Sequence, residues 1–175
     1  MTAELTSLQT APEAWGDARS RTVTWHDPRI TAAGALERSG LETMEAIRDG
    51  ILPPPPIASL LGFEMVTIEE GDVVFRSLPD ESVYNPIGVV HGGLVCTLLD
   101  TVAGCAVHTT LPQGMAYTSI EIKVNYLRPV RAGIELTAHG WTVKPGRRVA
   151  FAEADVRGPD GAVLATASSS CLVMG

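Results

Sequence analysis

Residues 92–111, with the sequence GGLVCTLLDTVAGCAVHTTL, decide the fold of this chain. Apolar residues cover nearly every face of a helix drawn through this stretch, and a helix that is apolar all round has to be buried. Asp100 interrupts the run, and a carboxylate in the middle of a membrane span is costly. The stretch therefore predicts a buried core helix over about residues 92–109, ended by Leu111-Pro112-Gln113-Gly114, and no membrane span.

Strand patterns lie on both sides of this predicted helix. Residues 63–69 and 72–78 alternate around Glu70-Gly71, which predicts a hairpin. Residues 120–126 alternate between apolar and polar, with Ile120 on the inward face of a half-buried strand. Three further strands are expected at about 134–143, 148–157 and 162–173. The economical arrangement is an α+β fold, in which an antiparallel sheet of about six strands wraps around one long buried helix.

The N-terminal part of the chain is predicted to be an added helical segment. Residues 1–28 are polar and without a clear period, so we expect most of them to be loosely ordered. Ser39 and Glu42 form a capping-box pattern at the start of an amphipathic helix, and four prolines follow at 53–56. We therefore divide the chain into an extension with one amphipathic helix and a proline-rich connector (1–56) and a main domain (57–175).

Composition narrows the possible partners and the location. The chain has 13 Lys and Arg against 20 Asp and Glu, and a net charge of -7 repels phosphate backbones, which disfavours nucleic acid as a partner. The three cysteines fit no disulfide or zinc spacing, and the N-terminus has neither a basic nor an apolar signal-peptide region. We expect a cytoplasmic protein with reduced thiols, without a membrane anchor and without a metal site.

The candidate catalytic residues lie at the start and in the middle of the core helix. His91-Gly92-Gly93 opens the helix, where unpaired N–H groups and the positive end of the helix dipole meet. The glycines let a ligand approach the backbone, and such donors can stabilise negative charge on a carbonyl oxygen. Asp100 is a carboxylate among apolar residues and so a candidate base or nucleophile. A structural carboxylate bonded to the backbone or to a threonine is the alternative.

The spacing of these groups has a consequence for assembly. Gly92 and Asp100 are eight residues apart, which corresponds to about 12 Å along a helix axis. A single carbonyl group cannot contact both of them on one helix. If both act on it, they come from different subunits, as in a two-fold dimer with its long helices side by side.

Together these motifs resemble the PaaI-like thioesterases, a family with the hotdog fold. The resemblance spans about residues 63–173, about two-thirds of the chain. The matching pieces are Tyr84-Asn85-Pro86, His91-Gly92-Gly93, Asp100, Tyr126-Leu127-Arg128-Pro129, Gly146-Arg147-Arg148 and Asp160-Gly161. The resemblance implies hydrolysis of an acyl-CoA thioester to free acid and CoA, with no cofactor beyond the CoA of the substrate. It also implies homodimers in which two sheets join, and we expect a dimer of dimers.

The resemblance also implies roles for single residues. The amide of Gly92, which follows His91, holds the thioester oxygen, and Asp100 of the partner subunit serves as nucleophile or general base. Asn85 assists, and a hydroxyl near the start of the strand after the helix orients water. Ser119 fits this position by its distance from Pro129, whereas Thr118 shares the predicted inward face with Ile120, so both stay candidates.

Basic residues near strand ends form a candidate site for the phosphates of CoA. They are Arg128, Arg131, Lys144, Arg147 and Arg148. We predict Arg128, Arg147 and Arg148, together with Gly93, as substrate-binding residues. Ordinary solvated loop charges are the alternative interpretation.

Two other functions fit the sequence less well than thioester hydrolysis. Hotdog dehydratases and hydratases carry a different His-centred motif or an Asp-to-His pair, which this helix lacks. A non-catalytic acyl-CoA binding or sensing protein would have no need of Asp100. The segment before Phe63 is acidic and has no basic recognition helix, which disfavours a DNA-binding sensor.

Overall fold

The computed structural model describes residues 13–175, and the predictions for residues 1–12 lie outside this range. The described chain contains four α-helices and six strands. The helices are α1 (Pro28–Leu36), α2 (Gly40–Arg48), α3 (Pro56–Leu61) and α4 (Gly92–Thr109). The strands are β1 (Phe63–Glu69), β2 (Asp72–Ser77), β3 (Ala116–Tyr126), β4 (Leu136–Lys144), β5 (Val149–Arg157) and β6 (Val163–Met174).

All six strands belong to one antiparallel sheet with the order β1-β2-β4-β5-β6-β3. Helix α4 contacts every strand of this sheet. The predicted hotdog architecture, one long helix wrapped by a six-stranded antiparallel sheet, is confirmed. Strand β3 forms one edge, and its ladder partner within residues 13–175 is β6 alone.

The core of the molecule lies between α4 and the sheet. Helix α4 is long and apolar enough to span a membrane by length and composition, but its apolar residues are buried in this core. Helix and sheet approach so closely that a Cβ on Gly140 would lie 2.3 Å from the carbonyl oxygen of Val102. Fully buried side chains on the two sides include Leu98, Leu99, Val102 and Val107 of α4, and Val73, Leu136 and Val156 of the sheet.

Strand β3 departs from the predicted alternation. Its register with β6 shifts between Ser119 and Glu121, which is a β-bulge at Ile120. Ile120 is 56% exposed and Thr118 is exposed too, so the prediction that they share the inward face is wrong. The more buried side chains are Tyr117 and Ser119 before the bulge, and Ile122 and Val124 after it.

The N-terminal extension holds two α-helices in its described part, so the prediction of one helix is wrong. The additional helix, α1, begins with Asp27 as N-cap and Pro28 in its first turn. Helix α2 has the predicted capping box between Ser39 and Glu42, and its Met44 packs into the core of the main domain. The division of the chain at residues 56 and 57 stays a prediction.

Candidate active site

Within residues 13–175, the start of α4 has one backbone hydrogen-bond donor without an acceptor. His91 is the N-cap, and its Nδ1 accepts from the N–H of Gly93 at 2.8 Å. The backbone of His91 is bonded on both sides, since its N–H donates to the Val83 oxygen at 2.8 Å and its oxygen accepts from the Leu94 N–H at 3.0 Å. The N–H of Gly92 has no acceptor among residues 13–175. It therefore stays available to a ligand at the positive end of the helix dipole.

Asn85 shapes the loop that leads into α4. Its Oδ1 accepts from the N–H groups of Ile87 at 3.1 Å and Val89 at 3.4 Å. Its own N–H donates to the Val89 oxygen at 2.9 Å, and a bridge between Tyr84 and Val90 closes the loop. The half-buried Asn85 thus has a turn-forming role, and its predicted assistance to catalysis stays a prediction.

Asp100 lies half-buried in the middle of α4 and has a hydroxyl partner on β3. Ser119 Oγ donates to Asp100 Oδ1 at 2.8 Å. The bulge at Ile120 sets the orientation of Ser119, so the structure brings Ser119 and not Thr118 to the carboxylate. An open groove of about 400 Å³ exposes this pair to solvent. The groove is lined by Cys96, Thr97, Asp100, Ser119, Ile120, Glu121 and Ile122.

The polar groups around the buried side of Asp100 are held neutral. Burial raises the pKa of Cys105 to about 12, and the negative charge of Asp100 adds to this shift. Burial also raises the pKa of Tyr117 well above its usual range and raises the pKa of Cys171. The Tyr117 ring fits against α4 because residue 104 is glycine, where a Cβ would lie 2.5 Å from the hydroxyl oxygen. These thiols and this phenol are therefore protonated at neutral pH and are poor nucleophiles.

Tyr126 contacts the site although its sequence pattern predicts no role for it. Its hydroxyl donates to the Gly92 oxygen at 3.0 Å. Its one signal in the sequence is its place in the Tyr126-Leu127-Arg128-Pro129 motif. Tyr126, Gly92 and Arg128 line a crevice of about 300 Å³ at the start of α4.

The predicted basic residues do not form one cluster within the chain. Arg128 lines the crevice at the N-terminal end of α4, whereas Arg147 lines a second crevice with Thr110 and Leu111 at the C-terminal end. Helix α4 has 18 residues, and its ends are about 27 Å apart. Arg128 and Arg147 therefore do not form one phosphate-binding site within a single chain. All three predicted arginines, Arg128, Arg147 and Arg148, are exposed.

Comparison with known proteins assigns this chain to a family. Residues 87–165 match the family described as the thioesterase superfamily. A Haemophilus influenzae protein whose name assigns it to the esterases is 33% identical over 100 residues, which cover 57% of this chain and 71% of the relative. This chain belongs to the thioesterase superfamily. It is a thioester hydrolase, as the sequence predicted.

This thioesterase is also similar to other named relatives and to solved structures. Human acyl-coenzyme A thioesterase 13 is 28% identical over 92 residues, covering 53% of this chain and 65% of that protein. The Escherichia coli PaaI protein superposes with a TM-score of 0.69 at 20% identity, covering 78% and 94% of the two chains, which shows the shared fold. A Streptococcus mutans protein solved with acetyl CoA has a TM-score of 0.61 at 27% identity, covering 65% and 89%.

Proposed function

We propose that this thioesterase hydrolyses an acyl-CoA, with the carboxylate of Asp100 from one subunit and the N–H of Gly92 from another acting on the same carbonyl group. The observation that carries the proposal is the hydrogen bond between Ser119 and Asp100 in an open groove beside α4. The same helix begins with the Gly92 N–H, which has no acceptor in the described chain. A carboxylate held by a hydroxyl and a backbone donor are the two groups that thioester hydrolysis needs.

The choice of acyl-CoA as substrate rests on the relatives and on charge. Human acyl-coenzyme A thioesterase 13 is named for this substrate, and the Streptococcus mutans protein was solved with acetyl CoA. Arg128 lies in the crevice beside Gly92, where it can bind a phosphate of CoA. In a dimer, Arg147 and Arg148, at the other end of α4, can contact a substrate that is bound mainly by the second chain.

The geometry supports the following chemistry. The thioester oxygen accepts from the Gly92 N–H, and the negative charge that develops on it is stabilised by the helix N-terminus. Two roles of Asp100 fit its position. As a base, it removes a proton from the water that attacks the carbonyl carbon, and the C–S bond then breaks to release CoA as the thiolate. As a nucleophile, it attacks the carbonyl carbon, CoA leaves as the thiolate, and water hydrolyses the resulting anhydride.

The proposal includes a homodimer. Edge strand β3 is 11 residues long, and an unpaired edge of this length favours pairing with another strand. Pairing of β3 with β3 of a second copy would bring two α4 helices side by side around a two-fold axis. In that arrangement Gly92 of one chain can approach Asp100 of the other, although the two residues are about 12 Å apart along one helix. We further propose that such dimers associate in pairs.

We also propose that hydrolysis needs no metal ion. No group of three or more His, Cys, Asp or Glu side chains within residues 13–175 is placed to bind one. The Asp100 carboxylate and the Gly92 amide supply the base or nucleophile and the oxyanion donor without a Lewis acid.

A pair of variants at Gly92 tests the backbone donor. Gly92→Pro deletes the N–H, and proline is favoured in the first turn of a helix. The preceding residue, His91, has φ -61° and ψ 132°, which suits a position before proline. Gly92→Ala is the matched control, because it adds a Cβ but keeps the N–H. We expect Gly92→Pro to lower kcat by about 10²-fold relative to Gly92→Ala, with both variants folded.

Equal activity of the two folded variants would remove the Gly92 amide from the mechanism. Both variants place a Cβ about 3.2 Å from the Tyr126 ring, so this contact cancels in the comparison. Circular dichroism and Tm identify any variant that has not folded.

A further inference from the structure

The peptide that joins Gly92 to Gly93 is held at both ends by side chains. Its N–H, on Gly93, donates to His91 Nδ1 at 2.8 Å, and its oxygen, on Gly92, accepts from the Tyr126 hydroxyl at 3.0 Å. The preceding peptide is held at its oxygen, which accepts from the Leu94 N–H at 3.0 Å. Of the four polar groups of these two peptides, the Gly92 N–H is the one without a partner in the described chain.

Two consecutive glycines would otherwise leave this turn poorly defined. Glycine has the largest backbone freedom of all residues, and the first turn of a helix lacks the hydrogen bonds of its interior. An oxyanion donor is effective only if its direction is set before the reaction. A rotation that re-aims the Gly92 N–H either breaks the bond from the Leu94 N–H to the His91 oxygen or moves the adjacent peptide with it. The bonds of that adjacent peptide to Tyr126 and His91 oppose the second movement.

Tyr126 is placed to supply this restraint. It is the last residue of β3, so its hydroxyl ties the end of the edge strand to the start of α4. Its ring lies against Gly92, since a Cβ there would be 3.2 Å from the nearest ring carbon. Burial and the neighbouring Cys96 raise the pKa of Tyr126, so the phenol stays protonated and able to donate.

We propose that Tyr126 is a positioning residue of the thioesterase, whose hydroxyl fixes the direction of the Gly92 N–H. The proposal rests on the proposed role of Gly92 as oxyanion donor. Tyr126 acts through the Gly92–Gly93 peptide and does not itself contact the reacting carbonyl.

Tyr126→Phe separates this role from packing, because it removes the hydroxyl and keeps the ring as a wall of the crevice. We expect kcat to fall roughly 3- to 10-fold, as the loss of one hydrogen bond allows, with KM and Tm unchanged. Thr31→Val is the control. It removes a hydroxyl that donates to the Pro53 oxygen at 2.6 Å in the extension, and we expect it to leave kcat unchanged. Unchanged kcat in Tyr126→Phe, or a rise in KM alone, would overturn the proposal.

Combining this variant with the Gly92 pair tells the two hypotheses apart. In the Gly92→Ala background Tyr126→Phe should still lower kcat, whereas in the Gly92→Pro background no N–H remains to be positioned, and no further loss is expected. An equal loss in both backgrounds would show that Tyr126 acts by another route. If Gly92→Pro and Gly92→Ala are equally active, the proposed function of Gly92 fails first. If Gly92→Pro is impaired and Tyr126→Phe is not, only the inference about Tyr126 fails.

Discussion

Asp100 interrupts a helix that otherwise buries apolar residues, with Leu99 and Val102 fully buried beside it. Its carboxylate turns to the groove side, where Ser119 donates to Oδ1 and no hydrogen bond reaches Oδ2 from residues 13–175. A groove-lining carboxylate with one oxygen held and the other without a hydrogen bond is suited to act on water or on a carbonyl carbon.

Asp100→Asn tests this role at the residue scale. The amide keeps an oxygen that can accept from Ser119 but loses the negative charge. We expect kcat to fall by about 10²-fold or more. CoA binding and Tm should be kept, because the Gly92 N–H and the arginines are unchanged. Steady-state kinetics and thermal unfolding measure the two effects. A lower Tm with full activity per folded molecule would make Asp100 a structural residue.

The sequence singles out Asp100 and Gly92 as candidates because their residue types conflict with their surroundings. An acid among leucines and two glycines at a helix start each need a reason, and for each the sequence favours a chemical one. Tyr126 carried no such conflict, since an aromatic residue at the end of a strand is ordinary. Its contact with Gly92 depends on where the strand ends relative to the helix, which is a tertiary property.

Among the secondary-structure elements, β3 is the strand in which the apolar alternation predicts the wrong face for Thr118 and Ile120. Ile120 continues the apolar alternation of Ile122 and Val124, so the sequence gives no sign of the bulge that exposes it. The bulge reverses the facing of the residues before it and brings Ser119 to Asp100. Helix α1 was missed for a different reason. It has no buried residue, so there is no apolar period to detect, and only Asp27-Pro28 marks its start.

The C-terminal end of α4 is covered by α2. A Cβ on Gly40 would lie 1.7 Å from the His108 oxygen, and the Gly40 N–H donates to the Leu111 oxygen at 2.9 Å. The side chain of His108 is half-buried, and its Nδ1 has no hydrogen-bond partner in the described part of the chain. Burial lowers the pKa of His108, so the folded state favours the neutral ring.

This gives a prediction for the pH dependence of stability. The unfolded chain protonates a histidine below about pH 6.5, whereas folded His108 resists protonation, so the unfolded state binds more protons there. The stability tied to His108 is complete above the unfolded pKa and is lost as the pH falls. We expect His108→Leu to lose less stability than the wild type between about pH 7.5 and 5.5 in urea unfolding.

His26→Leu, which replaces an exposed histidine, is the control and should follow the wild type. If His108→Leu and the wild type lose equal stability over this range, His108 is not the group responsible.

In the molecule as a whole, the directions of the strands explain why Arg128 and Arg147 lie at opposite ends of α4. Arg128 follows β3, and Arg147 lies between β4 and β5. Because β3 and β4 run in opposite directions in this sheet, their ends lie at opposite ends of α4. The sequence shows that each arginine is near a strand end but not which end. In the proposed two-fold dimer the helices run antiparallel, so the Arg147 end of one chain approaches the Arg128 end of the other.

The extension also reaches the loop before the active site. Arg21 contacts Asp80 at 3.3 Å and the Leu60 oxygen at 2.5 Å, and Arg19 pairs with Glu81. Asp80 and Glu81 lie on the loop that continues to Asn85. These ion pairs are exposed and contribute little to stability. They nevertheless place Arg19 and Arg21 of the added segment against the loop that leads to Asn85.

The proposed mechanism requires that two chains share one active site. Asp100→Asn and Gly92→Pro chains, each nearly inactive alone, can be mixed and allowed to exchange subunits. In a mixed dimer one site has both defects and the other has neither. About half of the dimers are mixed and each has one intact site, so activity should return to about a quarter of the wild-type value. No recovery, with subunit exchange confirmed by differently tagged chains, would show that Gly92 and Asp100 do not meet across a subunit interface.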